Sequence, residues 1–318
     1  MSSTIRVVFL GTPDFSRHHL ASLIDDPQYS VVGVISQPDR PSGRKMHLTP
    51  SPVKQLALDR GLRVITPETI KNEETLREIK SWGADAAIVV AYGQILPQTF
   101  LDIFPGKVVN VHASLLPRWR GAAPIQRAIE AGDIETGVSL QLMVKKLDAG
   151  DVIASYRVKI DESWDAQRLH DELMPLGVRL LRVDFLKYLR GELVPTPQDE
   201  KLVTYAHKIE KSEAQIDWNN KTATQIRNHI RAMILGPGSA TNLNGRALKI
   251  LSGEVVHLTD TSARNTPGNI VAVDNDSFTV ACREGALRIT RVQPESKSPM
   301  SAHDFLLGYR LKVGDRVE

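Results

Sequence analysis

Residues 5–15 read Ile-Arg-Val-Val-Phe-Leu-Gly-Thr-Pro-Asp-Phe, an apolar run of strand length followed by a turn and by a helical stretch that reaches about Ile24. More runs rich in Val and Ile follow at helix-length intervals, at Val31–Ile35, Ala86–Val90 and Val108–Val111. Short apolar strands that alternate with helical segments are typical of βαβ units around a buried parallel sheet. The first half of the chain is therefore predicted to be a doubly wound, mostly parallel α/β domain of Rossmann-like type.

The turn after the first strand, Gly11-Thr-Pro-Asp-Phe, lies where open α/β sheets commonly bind ligands. It lacks the GxGxxG spacing of a dinucleotide-binding turn, so we reject a nicotinamide or flavin cofactor. Strands are also predicted at Gly137–Val144 and Asp151–Ile160, joined by a turn around Leu147-Asp-Ala-Gly-Asp. A helix is predicted from about Asp165 to Leu189, and Pro175 is expected to kink or split it.

The texture of the sequence changes in its last third. The stretch Gly191–Asp199 has the composition of a linker, and beyond Lys211 an amphipathic segment, Ala223–Ala232, precedes several short alternating runs. The runs are Ala247–Leu251, Asn269–Val273, Phe278–Cys282 and Ala286–Val292. They indicate a small β-barrel or sandwich, with an oligonucleotide-binding (OB-like) barrel as one candidate. The predicted parts are a catalytic domain of residues 1–190, a linker of 191–209 and a β domain of 210–318.

Composition places the chain of 318 residues, 42% apolar and 24% charged, among ordinary globular proteins. It has no apolar stretch of membrane-spanning length and no signal-peptide pattern at its start, so a cytoplasmic location is expected. The single cysteine, Cys282, excludes internal disulfides. Residues 201–318 carry 16 Lys and Arg against 12 Asp and Glu. This basic bias suits contact with a polyanion, and a solvated basic surface is the alternative.

The densest group of candidate reactive residues is Asn110-Val-His-Ala-Ser-Leu-Leu-Pro-Arg-Trp-Arg-Gly-Ala-Ala-Pro-Ile-Gln-Arg. Asn110 and His112 stand at the end of a predicted strand, and residues two apart in a strand point to the same side. Asp148 follows another predicted strand, and a parallel sheet could bring its carboxylate beside the imidazole for general acid–base work. The alternatives are a histidine that only packs and an aspartate that only closes a turn.

These residues resemble the methionyl-tRNA formyltransferase family. The similarity runs through Phe9-Leu-Gly-Thr-Pro-Asp-Phe, Gln37-Pro-Asp-Arg-Pro-Ser-Gly-Arg, Ser51-Pro-Val-Lys, Ala91-Tyr-Gly-Gln-Ile-Leu-Pro, the segment from Asn110 to Arg127 and Leu147-Asp-Ala-Gly-Asp. It is weaker in Leu202-Val-Thr-Tyr-Ala-His-Lys and Ile216-Asp-Trp. The upstream Asn and His with Ser-Leu-Leu-Pro are specific to users of 10-formyltetrahydrofolate, and the Arg-Trp-Arg-Gly-Ala-Ala-Pro-Ile-Gln continuation indicates the tRNA-directed branch.

The resemblance implies transfer of a formyl group from 10-formyltetrahydrofolate to the α-amino group of methionine on initiator tRNA, without a metal ion. It implies a formyltransferase-type N-terminal domain, an OB-like C-terminal domain that binds tRNA, and a monomer with no membrane partner. The implied catalytic residues are Asn110, His112 and Asp148. The implied folate-binding residues are Ser114, Leu115, Leu116, Pro117, Ala91, Tyr92, Gly93, Ile95 and Leu96.

The connection Gln37–Pro52 is long for an α/β domain and rich in Pro, Gly and basic residues. By the same resemblance it is a tRNA-contacting insertion, which places Arg40, Arg44 and Lys45 near the acceptor stem; a mobile solvated loop is the alternative. The chain departs from the family pattern at Lys146, where glycine is usual before the Asp148 turn. It departs again at 234–239, where Asn-Pro-x-Pro is more typical.

Rival functions stay open at this point. The nearest is another folate-dependent formyltransferase, acting on an amino sugar nucleotide or glycinamide ribotide, or a hydrolase that deformylates with water. Each of these would share Asn110, His112 and Asp148. A rival of another class is a non-catalytic RNA-binding protein, against which three converging polar groups argue.

Overall fold

The fold comes from a computed structural model that describes residues 4–42, 47–257 and 266–318. The chain forms two units, and each draws on several stretches of sequence. The α/β unit comprises Met1–Gly121, Glu135–Val158 and His170–Tyr205. The β unit comprises Ala122–Ile134, Lys159–Leu169 and Ala206–Glu318. Among the helices that the described ranges contain, none has the length and apolar character needed to cross a bilayer.

The helices and strands follow one another along the chain with short connections. In order they are β1 (Ile5–Gly11), α1 (Asp14–Ile24), β2 (Tyr29–Ile35), β3 (Arg40–Ser42), β4 (His47–Thr49), α2 (Pro52–Asp59), β5 (Val64–Ile65), α3 (Glu73–Ser81), β6 (Ala86–Val90), α4 (Gln98–Leu101), β7 (Val108–His112), β8 (Arg120–Gly121), α5 (Pro124–Ala131), β9 (Glu135–Leu142), β10 (Val152–Lys159), α6 (Ala166–Arg179), α7 (Leu186–Leu189), β11 (Tyr205–Ala206), α8 (Ala223–Ala232), β12 (Ser239–Leu243), β13 (Arg246–Val256), β14 (Ile270–Val273), β15 (Phe278–Ala281), β16 (Ala286–Pro294), β17 (Met300–Ser301) and α9 (Ala302–Gly308). A π-helical turn, Leu180–Phe185, joins α6 to α7.

The α/β unit is built on a seven-stranded sheet of order β10-β9-β7-β6-β1-β2-β5. The five strands from β7 to β5 pair in parallel, whereas β9 runs antiparallel to β7. Every residue of β6 and β7 is buried, as expected for apolar strands that are covered on both faces. The prediction of a mostly parallel α/β sheet is therefore confirmed.

The parallel strands β1, β6 and β7 end at a common edge of this sheet. Thr12, just beyond β1, donates from its hydroxyl to the Tyr92 carbonyl at 2.9 Å, and the Ser16 hydroxyl donates to the Val90 carbonyl at 2.5 Å. These bonds connect the turns that follow β1 and β6. Such an edge is where open α/β sheets bind ligands.

The helix predicted from Asp165 to Leu189 is present and continuous. It is not split at Pro175, because α6 extends to Arg179 and the π turn and α7 continue it. Pro175 is exposed, so water can solvate the carbonyl that loses its helical donor. The opposite face of the helix is buried through Leu169, Leu173 and Leu180, and this burial outweighs the local loss.

The β unit contains an antiparallel sheet of order β12-β13-β16-β15-β14, with β17 paired to β16. The C-terminal residues join its two edges, since Leu243 in β12 bridges to Val317 and Asn269 before β14 bridges to Arg316. The sheet thus closes into a small barrel, around a core that includes Trp218 and Phe278. The predicted C-terminal β domain is confirmed, and its sheet is antiparallel. The sequence analysis missed its first strand, β12.

Candidate active site

Asn110 and His112 lie on one face of β7, at the edge where the parallel strands end. In the antiparallel pairing with β9, Asn110 is opposite Gln141 and His112 is opposite Ser139. Residues directly opposite each other on antiparallel strands project to the same face. Asn110 and His112 retain 8% and 6% exposure. The strand register therefore gathers four polar side chains on a nearly buried face.

Asp148 reaches this face by a route that the sequence analysis did not foresee. The expectation that a parallel sheet brings it beside His112 is wrong, because β9 is antiparallel to β7 and leads away from the edge. Instead, the chain after β9 folds back on itself, and the Leu142 N–H donates to the Asp151 carbonyl at 2.9 Å. Asp148 adopts a positive φ of 44° in this loop. Its carboxylate Oδ2 lies 3.7 Å from His112 Nδ1.

The Asp148 carboxylate is held by donors on both of its oxygens. Gln141 Nε2 donates to Oδ1 at 2.9 Å, and the backbone N–H of Gly121 donates to Oδ2 at 2.8 Å. Charge-assisted hydrogen bonds of this kind are stronger than neutral ones. Asp148 is only 10% exposed at its side chain, so its direction is set by the protein rather than by solvent.

The tautomer of neutral His112 follows from its backbone partner. His112 Nε2 lies 2.8 Å from the Trp119 carbonyl oxygen, which can only accept, so Nε2 carries the hydrogen. Nδ1 is then the nitrogen that faces Asp148 and can exchange a proton with a substrate. Trp119 presents its carbonyl from a left-handed backbone conformation with φ 63°. Residues in this region of φ/ψ space often mark functional sites.

The Ser114–Pro117 loop follows His112 and is fixed by hydroxyl groups. The Ser139 hydroxyl donates to the Ser114 carbonyl at 2.7 Å and accepts from the Leu116 N–H at 3.2 Å. The Ser114 hydroxyl donates to the Arg118 carbonyl at 2.6 Å. Leu115, Leu116 and Pro117 are partly exposed, and the Leu116–Pro117 peptide is cis.

The 91–97 segment follows β6 at the same edge and turns sharply, with φ 44° at Ala91 and 89° at Gly93. The side chains of Tyr92 and Leu96 are buried in the core, and burial raises the pKa of the Tyr92 hydroxyl to about 12. Ile95, by contrast, is 73% exposed. The segment therefore offers a ligand its backbone and the Ile95 side chain, while Tyr92 and Leu96 support it from below.

The loop predicted to contact tRNA is anchored at its base. Asp39 accepts from Lys54 Nζ at 2.8 Å, and Arg40 pairs with Thr49 between β3 and β4. The Arg40 side chain is 68% exposed, and its guanidinium lies 3.7 Å from Glu68. Arg44 and Lys45 lie outside the described residues.

Several residues around the site were missed by the sequence analysis. Gln141 contacts Asp148 and Trp119 contacts His112. Gln198 donates to the carbonyls of Asp148 and Gly150 at 2.8 and 2.7 Å. The available signal was the end of β9, Val138-Ser-Leu-Gln-Leu142, where polar Ser139 and Gln141 alternate with apolar residues. Across the described ranges, no group of three His, Cys, Asp or Glu side chains is arranged to hold a metal ion.

Comparison with known proteins shows the family of this chain. Residues 5–182 match the family described as "Formyl transferase", and residues 208–310 match "Formyl transferase, C-terminal domain". Methionyl-tRNA formyltransferase from Bdellovibrio bacteriovorus is 54% identical over 99% of both chains, and that from Symbiobacterium thermophilum is 44% identical over 98% of this chain and 95% of its own.

A crystal structure of WlaRD, a sugar 3N-formyl transferase in the presence of dTDP and 5-N-formyl-THF, shares the fold. Its TM-score is 0.66 at 19% identity, and the match covers 93% of this chain and 100% of WlaRD. The fold and the strand-end site define a formyl transferase. More narrowly, the chain belongs to the methionyl-tRNA formyltransferase family.

Proposed function

We propose that this chain transfers the formyl group of 10-formyltetrahydrofolate to the α-amino group of methionine esterified to initiator tRNA. The observation that carries the proposal is the meeting of Asn110, His112 and Asp148 at the strand-end edge, with Asp148 Oδ2 3.7 Å from His112 Nδ1. Identity of 54% over 99% of the chain with a methionyl-tRNA formyltransferase supports the choice of acceptor.

The chemistry makes two demands on the site. A new bond forms between the amine nitrogen and the formyl carbon, so negative charge develops on the formyl oxygen while the bond to the folate nitrogen breaks. The Asn110 carboxamide supplies a hydrogen-bond donor for that oxygen, a role that contributes about 2.7 to 4 kcal/mol in comparable sites. Asn110 is 8% exposed, and a donor is worth more where water is largely excluded.

The second demand is proton transfer between two nitrogens. The attacking amine must lose a proton and the leaving folate nitrogen must gain one. His112 Nδ1 accepts and returns this proton, because Nε2 is committed to the Trp119 carbonyl. Asp148 stabilises the imidazolium that forms, and its two hydrogen bonds hold it there.

The proposed donor site has two walls, the Ser114–Pro117 loop and the 91–97 segment. The latter turns its backbone and Ile95 outward above a buried core, which suits a flat ring with hydrogen-bonding edges and an apolar face. Backbone groups of Ala91, Gly93 and Leu96 would hold the ring, and the folate would supply the formyl group that this chain's residues then act upon.

For the acceptor, we assign the contacts with the tRNA to two regions. Arg40, Arg44 and Lys45 would approach the acceptor stem from the 37–52 loop, and the C-terminal residues 210–318 would bind the tRNA backbone. Residues 1–190 would form most of the catalytic domain, and of the predicted linker 191–209 the part up to Tyr205 belongs to the same α/β unit. We also propose that the chain works in the cytoplasm as a monomer.

A competition for the formyl group tests this function. Purified protein is given 10-formyltetrahydrofolate with methionyl initiator tRNA, a dTDP-amino sugar, glycinamide ribotide or water alone. Formylation of the tRNA should exceed every other reaction by at least about a hundredfold in kcat/KM. Faster formylation of a sugar or ribotide, or release of formate without an acceptor, would overturn the assignment. Loss of product with Asn110→Asp would attribute the activity to this site.

A further inference from the structure

The segment from Gln198 to Thr204 borders the catalytic group, although its neighbourhood has the composition of a linker. We propose that this segment, here called the strap (residues 198–204), positions both catalytic partners: its first residue holds the backbone that carries Asp148, and its last residue directs the carbonyl that orients His112. The inference rests on the proposed function, because it assigns positioning residues for that reaction.

At one end of the strap, a single carboxamide holds the loop between β9 and β10 that carries Asp148, residues 143–151, here called the catalytic loop. Gln198 Nε2 donates to the carbonyls of Asp148 and Gly150, at 2.8 and 2.7 Å, so both of its amide hydrogens are used on one turn of chain. Asp148 has φ 44°, a backbone conformation that is strained in a residue other than glycine. The two bonds from Gln198 offset this strain and keep the carboxylate directed at His112.

At the other end of the strap, Thr204 fixes the backbone of Trp119 by a hydrogen bond. The Thr204 hydroxyl accepts from the Trp119 N–H at 2.9 Å, and the Thr204 carbonyl accepts from the Arg120 N–H at 2.9 Å. Trp119 is thereby held at φ 63°, with its carbonyl 2.8 Å from His112 Nε2. Thr204 thus determines, through Trp119, which imidazole nitrogen carries the hydrogen.

A buried arginine connects the two ends. The Arg120 side chain is fully buried, and it donates from Nε to Gln198 Oε1 at 3.0 Å and from Nη2 to Glu200 at 2.9 Å. Its Nη1 is buried without a hydrogen-bond partner in the described chain. Burial of a charged group with an unsatisfied donor lowers the stability of a fold. A buried Arg120 is therefore better explained by a role in fixing the site than by a contribution to stability.

The strap is also attached to the catalytic loop by a side chain of that loop. Lys146 Nζ lies 2.7 Å from a carboxylate oxygen of Glu200. The Glu200 carboxylate therefore accepts hydrogen bonds from the buried Arg120 and from Lys146 of the catalytic loop. The hydrogen bond from Arg120, and then that from Lys146, lower the pKa of the Glu200 carboxyl to about 2. In this chain the loop is attached to the strap by a side chain as well as by its backbone.

Thr204→Val gives the sharpest test, because it removes the hydroxyl acceptor with little change in volume. We expect kcat to fall at least about tenfold while the KM values for folate and tRNA stay within about twofold. Thr204→Ser restores the acceptor and should return kcat to within about threefold of the original. The matched control is Thr196→Val, since Thr196 is exposed and pairs with Val152 through its backbone.

The tautomer of His112 can also be measured by NMR, without any assay of turnover. In protein labelled with ¹⁵N-histidine, neutral His112, assigned by loss of its signal in His112→Ala, should be protonated at Nε2. In Thr204→Val it should show a mixture of tautomers. If the unmodified protein failed to formylate methionyl-tRNA, the proposed function would fail, and this spectrum would still decide the positioning role.

Gln198→Glu is the second variant, and it keeps the acceptor for Arg120 while replacing the donor that faces the Asp148 and Gly150 carbonyls. It should lower kcat at least about tenfold with KM values again nearly unchanged. Unchanged kcat in both variants would overturn the inference. So would an unchanged His112 tautomer in folded Thr204→Val, equal losses of kcat in Thr204→Ser and Thr204→Val, or an effect confined to a raised KM.

Discussion

Gln141 Nε2 donates a 2.9 Å hydrogen bond to Asp148 Oδ1, and the same glutamine is the cross-strand partner of Asn110. The strand that pairs with β7 therefore also holds the Asp148 carboxylate. Because Gln141 is fully buried, no water competes for this bond. The relationship links the register of the sheet to the direction of a charge.

Gln141→Glu tests that link, because it replaces the donor with a second carboxyl of the same shape. Loss of a hydrogen bond to a charged group costs about 1.5 to 3 kcal/mol, so turnover should fall by roughly 10- to 150-fold. Gln98→Glu is the control, since Gln98 donates to Asp102 at 2.8 Å and this hydrogen bond is exposed to solvent. Equal steady-state rates for the two variants would contradict the role given to Gln141.

Arg40→Ala tests the contribution of the basic loop to tRNA binding. Its exposed guanidinium should neutralise about one phosphate, so KM for tRNA should rise and the slope of log K against log salt should decrease by about 1. Folate KM should not change. Arg60→Ala, which removes an exposed arginine paired with Asp25 at 2.9 Å, serves as the control. If Arg60→Ala lowered the slope as much as Arg40→Ala, the loop would have no special role.

Because His19 is buried in its neutral form, we expect the protein to lose stability in mild acid. Burial lowers its pKa from 6.5 to about 4, and its Nε2 has no hydrogen-bond partner within the described ranges. The unfolded chain therefore binds a proton that the folded chain excludes, so stability is complete above about pH 6.5 and decreases as pH falls towards 4. His18 and His170 lie nearby and add to the repulsion of a charged ring.

Denaturant unfolding at pH 7 and pH 5 measures this effect. The original protein should lose about 2 kcal/mol more than His19→Gln between the two pH values. His303→Gln, at an exposed histidine, should behave like the original protein. An identical pH dependence in all three proteins would show that His19 is not the group that titrates.

Gly132 ends α5 with a left-handed backbone conformation, and the Asn228 side chain lies against its Cα. A Cβ here would lie 2.9 Å from Asn228 Nδ2, and Asn228 is itself bound to Arg231 at 3.0 Å. Gly191 has the same φ of 75° with open space around it. Gly191→Ala should cost about 1 kcal/mol from backbone strain alone, and Gly132→Ala about 2 kcal/mol or more. Equal losses of unfolding free energy in these two variants would show that the contact with Asn228 adds nothing to the cost at Gly132.

Much of this fold follows from local pattern. The strands β1, β6 and β7 are Val- and Ile-rich runs of strand length, and the spacing of Asn110 and His112 places them on one face without further information. The approach of Asp148 could not be derived in this way. It depends on the antiparallel direction of β9 and on a loop that folds back with a positive φ, and neither leaves a periodic signal.

The hydrogen bonds of the strap could not be foreseen for a related physical reason. The stretch Gly191–Asp199 contains Pro195 and Pro197 among polar side chains, which is the composition of a linker. Gln198 and Thr204 nevertheless make specific hydrogen bonds to groups about 50 and 85 residues away in sequence. A polar, Pro-containing composition indicates that a segment lies outside the hydrophobic core. It does not indicate which long-range hydrogen bonds that segment makes.

The most direct test of the account is the single-turnover rate of formyl transfer to methionyl initiator tRNA, with both substrates saturating. Asn110→Asp, His112→Ala and Asp148→Asn should each slow this step by about a hundredfold or more, while Asp102→Asn, at an exposed helix end, leaves it unchanged. Near-original rates in the three site variants would mean that these side chains do not carry the chemistry.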